Sequence, residues 1–103
     1  ISPYEALVRA IAHQQLNGTA AETITRRFLT LFPGRRFPEP EAVTALTDDA
    51  IRGAGFSRAK VAAIRDIAAK TLAGVVPEKR ALTGLSDDEI VERLTQCRGV
   101  GRW

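Results

Sequence analysis

The sequence predicts an all-α fold, a compact bundle of about six short helices, and three observations support this prediction. Serine and threonine residues that favour helix N-termini recur along the chain. The apolar residues that follow them repeat at spacings of three and four, the period of a helix with one buried face. No segment shows the sustained alternation of a strand. The length of 103 residues suits a single domain, residues 1–103, with one modest core.

The first two helices are separated by the segment LNGT. In "SPYE", Ser2 is the N-cap, Pro3 takes the first helical position and Glu5 the third, which forms a capping box with the favoured proline. The apolar positions of this helix are Leu7, Val8 and Ile11. The segment FPG ends the second helix. Its apolar stripe comprises Ala20, Ile24, Phe28 and Leu31.

Two short helices and a long one follow in the middle of the chain. Nearby prolines make RRFPEP a loop, and a short helix is predicted over residues 41–46. Thr47 caps the next helix, whose first turn carries Asp48 and Asp49, where the helix dipole favours anions. The segment GAGFS ends that helix, and Ser57 caps the long one. The apolar positions of the long helix are Val61, Ile64, Ile67, Ala68 and Leu72.

The last complete helix begins after a predicted loop, residues 75–84. Gly74 stops the long helix before this loop. Ser86 and Glu89 form a second capping box, and Leu85 can pack against Ile90 as a hydrophobic staple. Three apolar residues of this helix are expected to face inward: Ile90, Val91 and Leu94.

Composition narrows the class of protein. Twelve arginines and three lysines give a net charge of +3, which favours a polyanionic partner, although a solvated surface is the alternative. No apolar run approaches the roughly 20 residues of a membrane span, and the first residues lack the plan of a signal peptide. The single Cys97 cannot form an internal disulfide, so a cytoplasmic location is predicted. Because the chain lacks methionine and ends just after a turn, we expect it to be part of a longer protein.

The terminal segment CRGVGRW has the outline of a helix, a Gly-apolar-Gly turn and the start of a second helix. Gly99 and Gly101 allow unusual backbone angles and leave room for backbone N–H groups to approach a phosphate. Arg98 and Arg102 flank the turn with positive charge, and Val100 would anchor it in the core. The alternative is a plain connector between two helices.

Three segments resemble motifs of the helix-hairpin-helix DNA glycosylase superfamily, in the family's order. LTQCRGVGRW is similar to the family hairpin, placed here at residues 95–103. LVRAIAHQQLNGTAAETI is similar to the early helix-loop-helix, where the family commonly carries Gly-Gln-Gln-Leu-Ser. AGFSRAKVAAIRDIA resembles the Gly-Leu-Ser-x-x-Lys helix. Within the superfamily, GVGRW indicates the alkylpurine type, the 3-methyladenine DNA glycosylase II group.

This resemblance implies roles for particular residues. The hairpin, residues 98–102, would hold a DNA phosphate through backbone N–H groups, and its carbonyls would bind a monovalent cation, with no other cofactor and no side-chain metal site. Gln15 would be the wedge that enters the duplex where a base is extruded. Asn17 would contact the minor groove, and Trp103 would form an aromatic wall of the base pocket.

The implied function is base excision repair, with hydrolytic removal of alkylated purines from double-stranded DNA. Trp103 stands where bifunctional members use a lysine, so lyase chemistry is not expected. The family's essential aspartate follows the hairpin tryptophan by about twenty residues, beyond residue 103, so no catalytic residue is assigned and the chain alone is expected to be inactive. The alternatives are a non-catalytic helix-hairpin-helix DNA-binding module and an all-α interaction fragment.

Other reactive residues have structural explanations. His13 stands where the family usually has glycine or serine, and we expect a structural histidine at a helix end. Together with Cys97 it supplies too few ligands for a zinc site. The helix dipole explains the adjacent carboxylates, Asp48, Asp49, Asp87 and Asp88. Lys60 is expected to face solvent or a phosphate, and the arginine pairs at 26–27 and 35–36 are expected to be solvated.

The resemblance also carries an expectation about assembly. In the family a helix after the hairpin packs against the earlier ones, so its absence would leave apolar faces uncovered. The residues concerned are Leu7, Ile11, Val91 and Leu94. A homodimer could cover these faces, with Trp103 as a contact residue. The alternative is a marginally stable monomer.

Overall fold

The computed structural model describes residues 1–14, 16–34 and 36–100, and these form helices and connections without a β-strand. The six α-helices are α1 (Pro3–His13), α2 (Gly18–Leu29), α3 (Pro40–Ala45), α4 (Asp48–Arg52), α5 (Arg58–Leu72) and α6 (Asp87–Thr95). A 3-10 helix, Lys79–Gly84, lies between α5 and α6. The predicted all-α fold of about six helices is confirmed.

The described chain contains no helix with both the length and the apolar character needed to cross a bilayer.

Side-chain caps determine where most of the helices begin. Each of the four caps expected from the sequence accepts a hydrogen bond of 3.1–3.3 Å from the amide three positions on: Ser2, Thr47, Ser57 and Ser86. A fifth cap is Asn17, whose side-chain oxygen accepts from the Ala20 amide at 2.8 Å and starts α2. These bonds satisfy amides that the first helical turn leaves without partners.

Helix α5 lies at the centre of the fold. It contacts α1, α3 and α4, and α2 packs against α1. Ile64 and Ile67 on α5 are completely buried. Phe28 of α2 is the centre of an aromatic cluster, with ring-centroid distances of 5.3–6.3 Å to Phe32, Phe37 and Phe56. Burial of these side chains supplies the main stabilisation of the domain.

Some details of the predicted stripes are wrong. Leu31 is 37% exposed because α2 has already ended at Leu29, so it is no longer on the helical face. Leu72, in the last turn of α5, is 50% exposed. Residues 79–84 of the predicted loop form the 3-10 helix. The inward residues of α6 are only half-buried, and no residue of this helix is fully buried.

The expectation that the α1 face is left uncovered is also wrong. Leu7 and Ile11 are 2% and 1% exposed, because α2 and α5 pack against α1. Val91 and Leu94 on α6 are half-buried. A homodimer stays a prediction, but only the half-buried residues of α6 still support it, because the apolar face of α1 is covered within the chain.

Candidate nucleic-acid interface

The C-terminal end of α1 leads into the connection to α2, residues 14–17. Helix α1 ends at His13, and Gln14 follows as C-cap with an extended backbone. His13 is exposed, and its Nδ1 lies 2.8 Å from the Arg9 carbonyl oxygen of the same helix. This contact at the helix end agrees with the structural role expected for His13.

Lys60 closes this end of α1 from the first turn of α5. Its ammonium donates a hydrogen bond of 2.5 Å to the Gln14 carbonyl oxygen. Lysine satisfies terminal helix carbonyls and complements the negative end of the helix dipole. Partial burial lowers the pKa of Lys60. The expectation that Lys60 faces solvent or a phosphate is therefore wrong, because a backbone carbonyl 46 residues away in sequence occupies its ammonium.

The described part of the predicted hairpin contains the turn that follows α6 and its C-cap Gln96, residues 97–100, here called the Gly99 turn. Cys97 and Val100 are 3% and 6% exposed and belong to the core. The Val100 amide donates to the Cys97 carbonyl oxygen at 3.1 Å, which closes the turn. Gly99 has a φ of +81°, in the left-handed region that favours glycine.

Packing is a second reason for glycine at position 99. A Cβ atom built there would lie 3.0 Å from Ala63 Cβ and 3.6 Å from Ile11 Cδ1. The side of Gly99 on which another residue would carry its side chain therefore faces α5 and α1. The sequence pattern predicts two reasons for glycine at this position, unusual backbone angles and close approach to a phosphate. The positive φ confirms the first. The close approach that the structure shows is to the protein's own core.

Asp66 of α5 supports the same turn, a role that none of the sequence motifs indicates. Its Oδ2 accepts the Arg98 amide at 2.7 Å, and both carboxylate oxygens accept from Lys70 Nζ at 2.7 Å. Partial burial acts to raise the pKa of Asp66, but the hydrogen bonds and positive charges of Lys70 and Arg98 outweigh it, so the pKa is lowered. The spacing of Asp66 and Lys70 indicates a helical pair, but no local pattern points to Arg98.

A direct contact joins the α1–α2 connection to the Gly99 turn. Gln14 Nε2 donates to the Gly99 carbonyl oxygen at 3.1 Å, across 85 residues of sequence. The C-terminal end of α1, the first turn of α5 and the Gly99 turn therefore lie together. The early helix-loop-helix motif and the hairpin motif are in direct contact here. The third motif that carries the family resemblance joins them through Lys60 and Asp66.

The predicted site residues fall into two groups. Arg98, Gly99, Val100 and Asn17 are described, and Arg98 and Asn17 are exposed. The other predicted site residues, Gln15, Gly101, Arg102 and Trp103, lie outside the described residues, as does Arg35. The side-chain oxygen of Asn17 is used by the cap of α2.

The surroundings of the remaining reactive groups give each of them a structural explanation. Asp48 Oδ1 lies 3.1 Å from Arg65 Nε, and the other paired aspartates lie in the first turns of α4 and α6, as the dipole argument expected. Burial raises the pKa of the Cys97 thiol, and the nearby charge of Asp66 adds to the rise. Within the described residues, no group of three or more His, Cys, Asp or Glu side chains could hold a metal ion.

Comparison with protein families decides the classification. Residues 8–102 match the family model of HhH-GPD superfamily base excision DNA repair proteins. The chain belongs to this superfamily. The resemblance that the three motifs predicted is confirmed, and the HhH-GPD match extends from α1 through the Gly99 turn.

Individual relatives agree with the HhH-GPD assignment. The chain is 42% identical to DNA-3-methyladenine glycosylase 1 of Schizosaccharomyces pombe over 98% of its own length and 44% of that protein. It is 31% identical to the alkylbase DNA glycosidase-like protein mag2 of the same yeast, over 99% of the chain and 48% of mag2. The chain thus spans less than half the length of these two relatives.

Two solved structures share the fold. The S. pombe 3-methyladenine DNA glycosylase Mag1, in complex with abasic DNA, matches with a TM-score of 0.92 and 41% identity, over 99% of the chain and 50% of Mag1. The DNA-3-methyladenine glycosidase of Bacillus halodurans matches with a TM-score of 0.88 and 31% identity, over all of the chain and 46% of that protein.

Proposed function

We propose that this chain forms the DNA-holding and base-flipping part of a glycosylase that removes alkylated purines in base excision repair. The observation that carries the proposal is the likeness to Mag1, a 3-methyladenine DNA glycosylase in complex with abasic DNA, over nearly the whole chain. The contact between Gln14 and the Gly99 turn supports it, because Gln14 immediately precedes the predicted wedge in sequence and Gly99 belongs to the predicted phosphate site.

The geometry narrows how the turn would bind a phosphate. The Arg98 amide donates to Asp66 and the Val100 amide to Cys97, so neither is available without losing an internal bond. Within the described turn this leaves the Gly99 amide as the proposed phosphate donor. The exposed Arg98 side chain adds positive charge. A monovalent cation on the hairpin carbonyls would share the Gly99 oxygen with Gln14, since a carbonyl has two lone pairs.

The wedge and the base pocket complete the proposed mechanism. Gln15 would fill the space left by an extruded purine, and Trp103 would stack on the flipped base. Flipping costs a few kcal/mol and is easiest at damaged pairs, which gives part of the selectivity. Because its oxygen caps α2, Asn17 would use its amide NH2 group to donate to a minor-groove acceptor. The carboxylate that stabilises the positive sugar is expected about twenty residues after Trp103, as the resemblance implies.

Fluorescence anisotropy with labelled duplexes tests DNA binding. We expect the chain to bind a duplex with a tetrahydrofuran abasic analogue more tightly than an intact duplex. Binding to two to four phosphates should weaken by about tenfold to about a hundredfold between 50 and 200 mM salt. Arg98→Gln should weaken binding and make the logarithmic salt slope shallower by about one.

Arg80→Gln is the matched control for this experiment, because Arg80 is an exposed arginine of the 3-10 helix that pairs with Glu78. It should leave binding and slope nearly unchanged. Absence of binding to either duplex at low salt would contradict the proposal. Equal effects of the two substitutions would show that the Gly99 turn is only a connector.

Base release separates a glycosylase from a non-catalytic binding module. Methylated duplex DNA is incubated with the protein that carries this chain, and free purines are separated by chromatography. Release of alkylated purines above the control without protein is the expected result. Binding without release would favour the module.

A further inference from the structure

We propose that Gln14 and Lys60 are positioning residues, which join the turn bearing the predicted wedge to the Gly99 turn so that both move as one rigid unit. This inference rests on the proposed function, since it gives the unit its role on DNA. It assigns no contact with substrate to either residue. Both would act through their neighbours, Gln15 and Gly99.

The first part of the junction fixes the main chain beside the predicted wedge. The Lys60 ammonium donates to the carbonyl oxygen of Gln14, the residue immediately before Gln15. A charged donor makes a stronger hydrogen bond than a neutral one, and the contact is half-buried, so water competes less for it. The main chain entering the wedge is thereby held against the N-terminal end of α5.

The second part fixes the side chain of the same residue. Gln14 Nε2 donates to the Gly99 carbonyl oxygen at 3.1 Å. Gly99 is itself held, because it lies so close to α5 that an added Cβ atom would be 3.0 Å from Ala63 Cβ, and because the amide of its neighbour Arg98 donates to Asp66. Gln14 therefore contacts a turn that cannot move independently of α5.

These contacts give the junction a mechanical role. An inserted wedge is opposed by the tendency of the DNA duplex to restack. A wedge on a loose connection would yield to that force. Gln14 and Lys60 instead join the α1–α2 connection to α5 and to the Gly99 turn, which is proposed to bind a phosphate. Binding of the DNA backbone by that turn would therefore also fix the position of the wedge.

A duplex with 2-aminopurine beside a tetrahydrofuran site tests this role, because the fluorescence of 2-aminopurine rises when it is unstacked. Gln14→Glu keeps the shape but removes the donor to the Gly99 oxygen. We expect the affinity of this variant to fall by about three- to tenfold. The fluorescence rise at saturating protein should fall to about half or less of that of the parent chain, by the same reasoning.

Gln96→Glu is the matched control, since it adds the same charge at an exposed glutamine at the end of α6, next to the turn. It should keep the full fluorescence rise at saturation. A merely structural loss would lower the melting temperature without changing the saturated signal of the folded protein. Equal saturated signals for Gln14→Glu and Gln96→Glu would overturn the proposal. If Gln14→Glu does not fold, Lys60→Met, which removes the contact at the Gln14 carbonyl, is judged against exposed Lys79→Met by the same criterion.

Amide hydrogen exchange distinguishes a failure of this inference from a failure of the proposed function. In the absence of DNA, the Val100 amide, which closes the Gly99 turn, should exchange about three- to tenfold faster in Gln14→Glu than in the parent chain. If the parent chain binds no duplex, the proposed function fails, and the junction is judged by this exchange alone. An unchanged Val100 rate would then overturn it.

Discussion

Replacing Gly99 with alanine should lower the free energy of unfolding by about 2–4 kcal/mol, although the change adds one methyl group. Two independent costs add at this position. The φ of +81° is unfavourable for any residue with a Cβ atom. The new methyl group would also lie 3.0 Å from Ala63 Cβ, and both atoms are fixed to backbone, so neither can turn away. Urea denaturation of the two proteins measures the difference.

Gly34→Ala is the matched control, because it isolates the backbone cost. Gly34 has a φ of +89°, and a Cβ atom there would meet no atom of the described residues within 4 Å. Its substitution should therefore cost only the backbone contribution, about 1–2 kcal/mol. An equal loss for both variants would contradict the packing argument at Gly99.

Ala63→Gly provides a second check on the same contact. Alone it should destabilise α5 by about 1 kcal/mol or somewhat more, from lower helix propensity and lost packing. In the Gly99→Ala background it removes the atom that clashes, so it should cost less or restore stability. A double-mutant cycle without coupling would show that the two positions do not press on each other.

These costs bear on how the Gly99 turn is tested for phosphate binding. A bulkier residue at 99 would be directed towards α5 and α1 rather than outward. Loss of DNA binding in such a variant would therefore indicate a distorted turn rather than a side chain that blocks the approach of a phosphate. Charge substitution at Arg98, which is exposed, is the cleaner probe.

Local sequence signals were sufficient for most of the fold. Caps and helical spacing depend on residues three or four positions apart, and for this reason Ser2, Thr47, Ser57 and Ser86 were all identified correctly. Asn17 was assigned only a DNA contact, although asparagine is also a favoured cap. The oxygen and NH2 group of its amide can serve the two roles separately.

The candidate site depends on contacts that no local pattern encodes. Lys60 meets Gln14 across 46 residues, Arg98 meets Asp66 across 32, and Gln14 meets Gly99 across 85. Motif resemblance placed these segments in one site, but it did not indicate which side chains hold them together. Lys60 in particular was expected to face solvent or a phosphate because a lysine in the first turn of a helix gives no sign of a distant helix end beside it.

Replacing Asp66 with asparagine should lower the free energy of unfolding by about 1–3 kcal/mol at pH 7, because the carboxylate accepts bonds from the Arg98 amide and from Lys70. The pKa of Asp66 is lowered in the folded state, so the unfolded chain binds the proton more readily. This contribution is fully present above the unfolded pKa of about 3.9 and is lost as pH falls through the lower folded pKa.

The pH dependence of Asp66→Asn therefore separates the carboxylate's charge from its shape. Urea denaturation at pH 7, 5, 4, 3 and 2.5 should show a large difference between parent and variant at the higher values and convergence below about pH 4. Asp87→Asn is the control. Asp87 is exposed in the first turn of α6, and none of the described ion pairs includes it. Its substitution should lower the free energy of unfolding at pH 7 clearly less than Asp66→Asn does. A loss for Asp66→Asn that stays constant down to pH 2.5 would mean that packing, not the charge that holds Arg98 and Lys70, is what Asp66 provides. The Gly99 turn would then depend only on the shape of the Asp66 side chain. Its structure should in that case persist at acidic pH as long as the rest of the fold does.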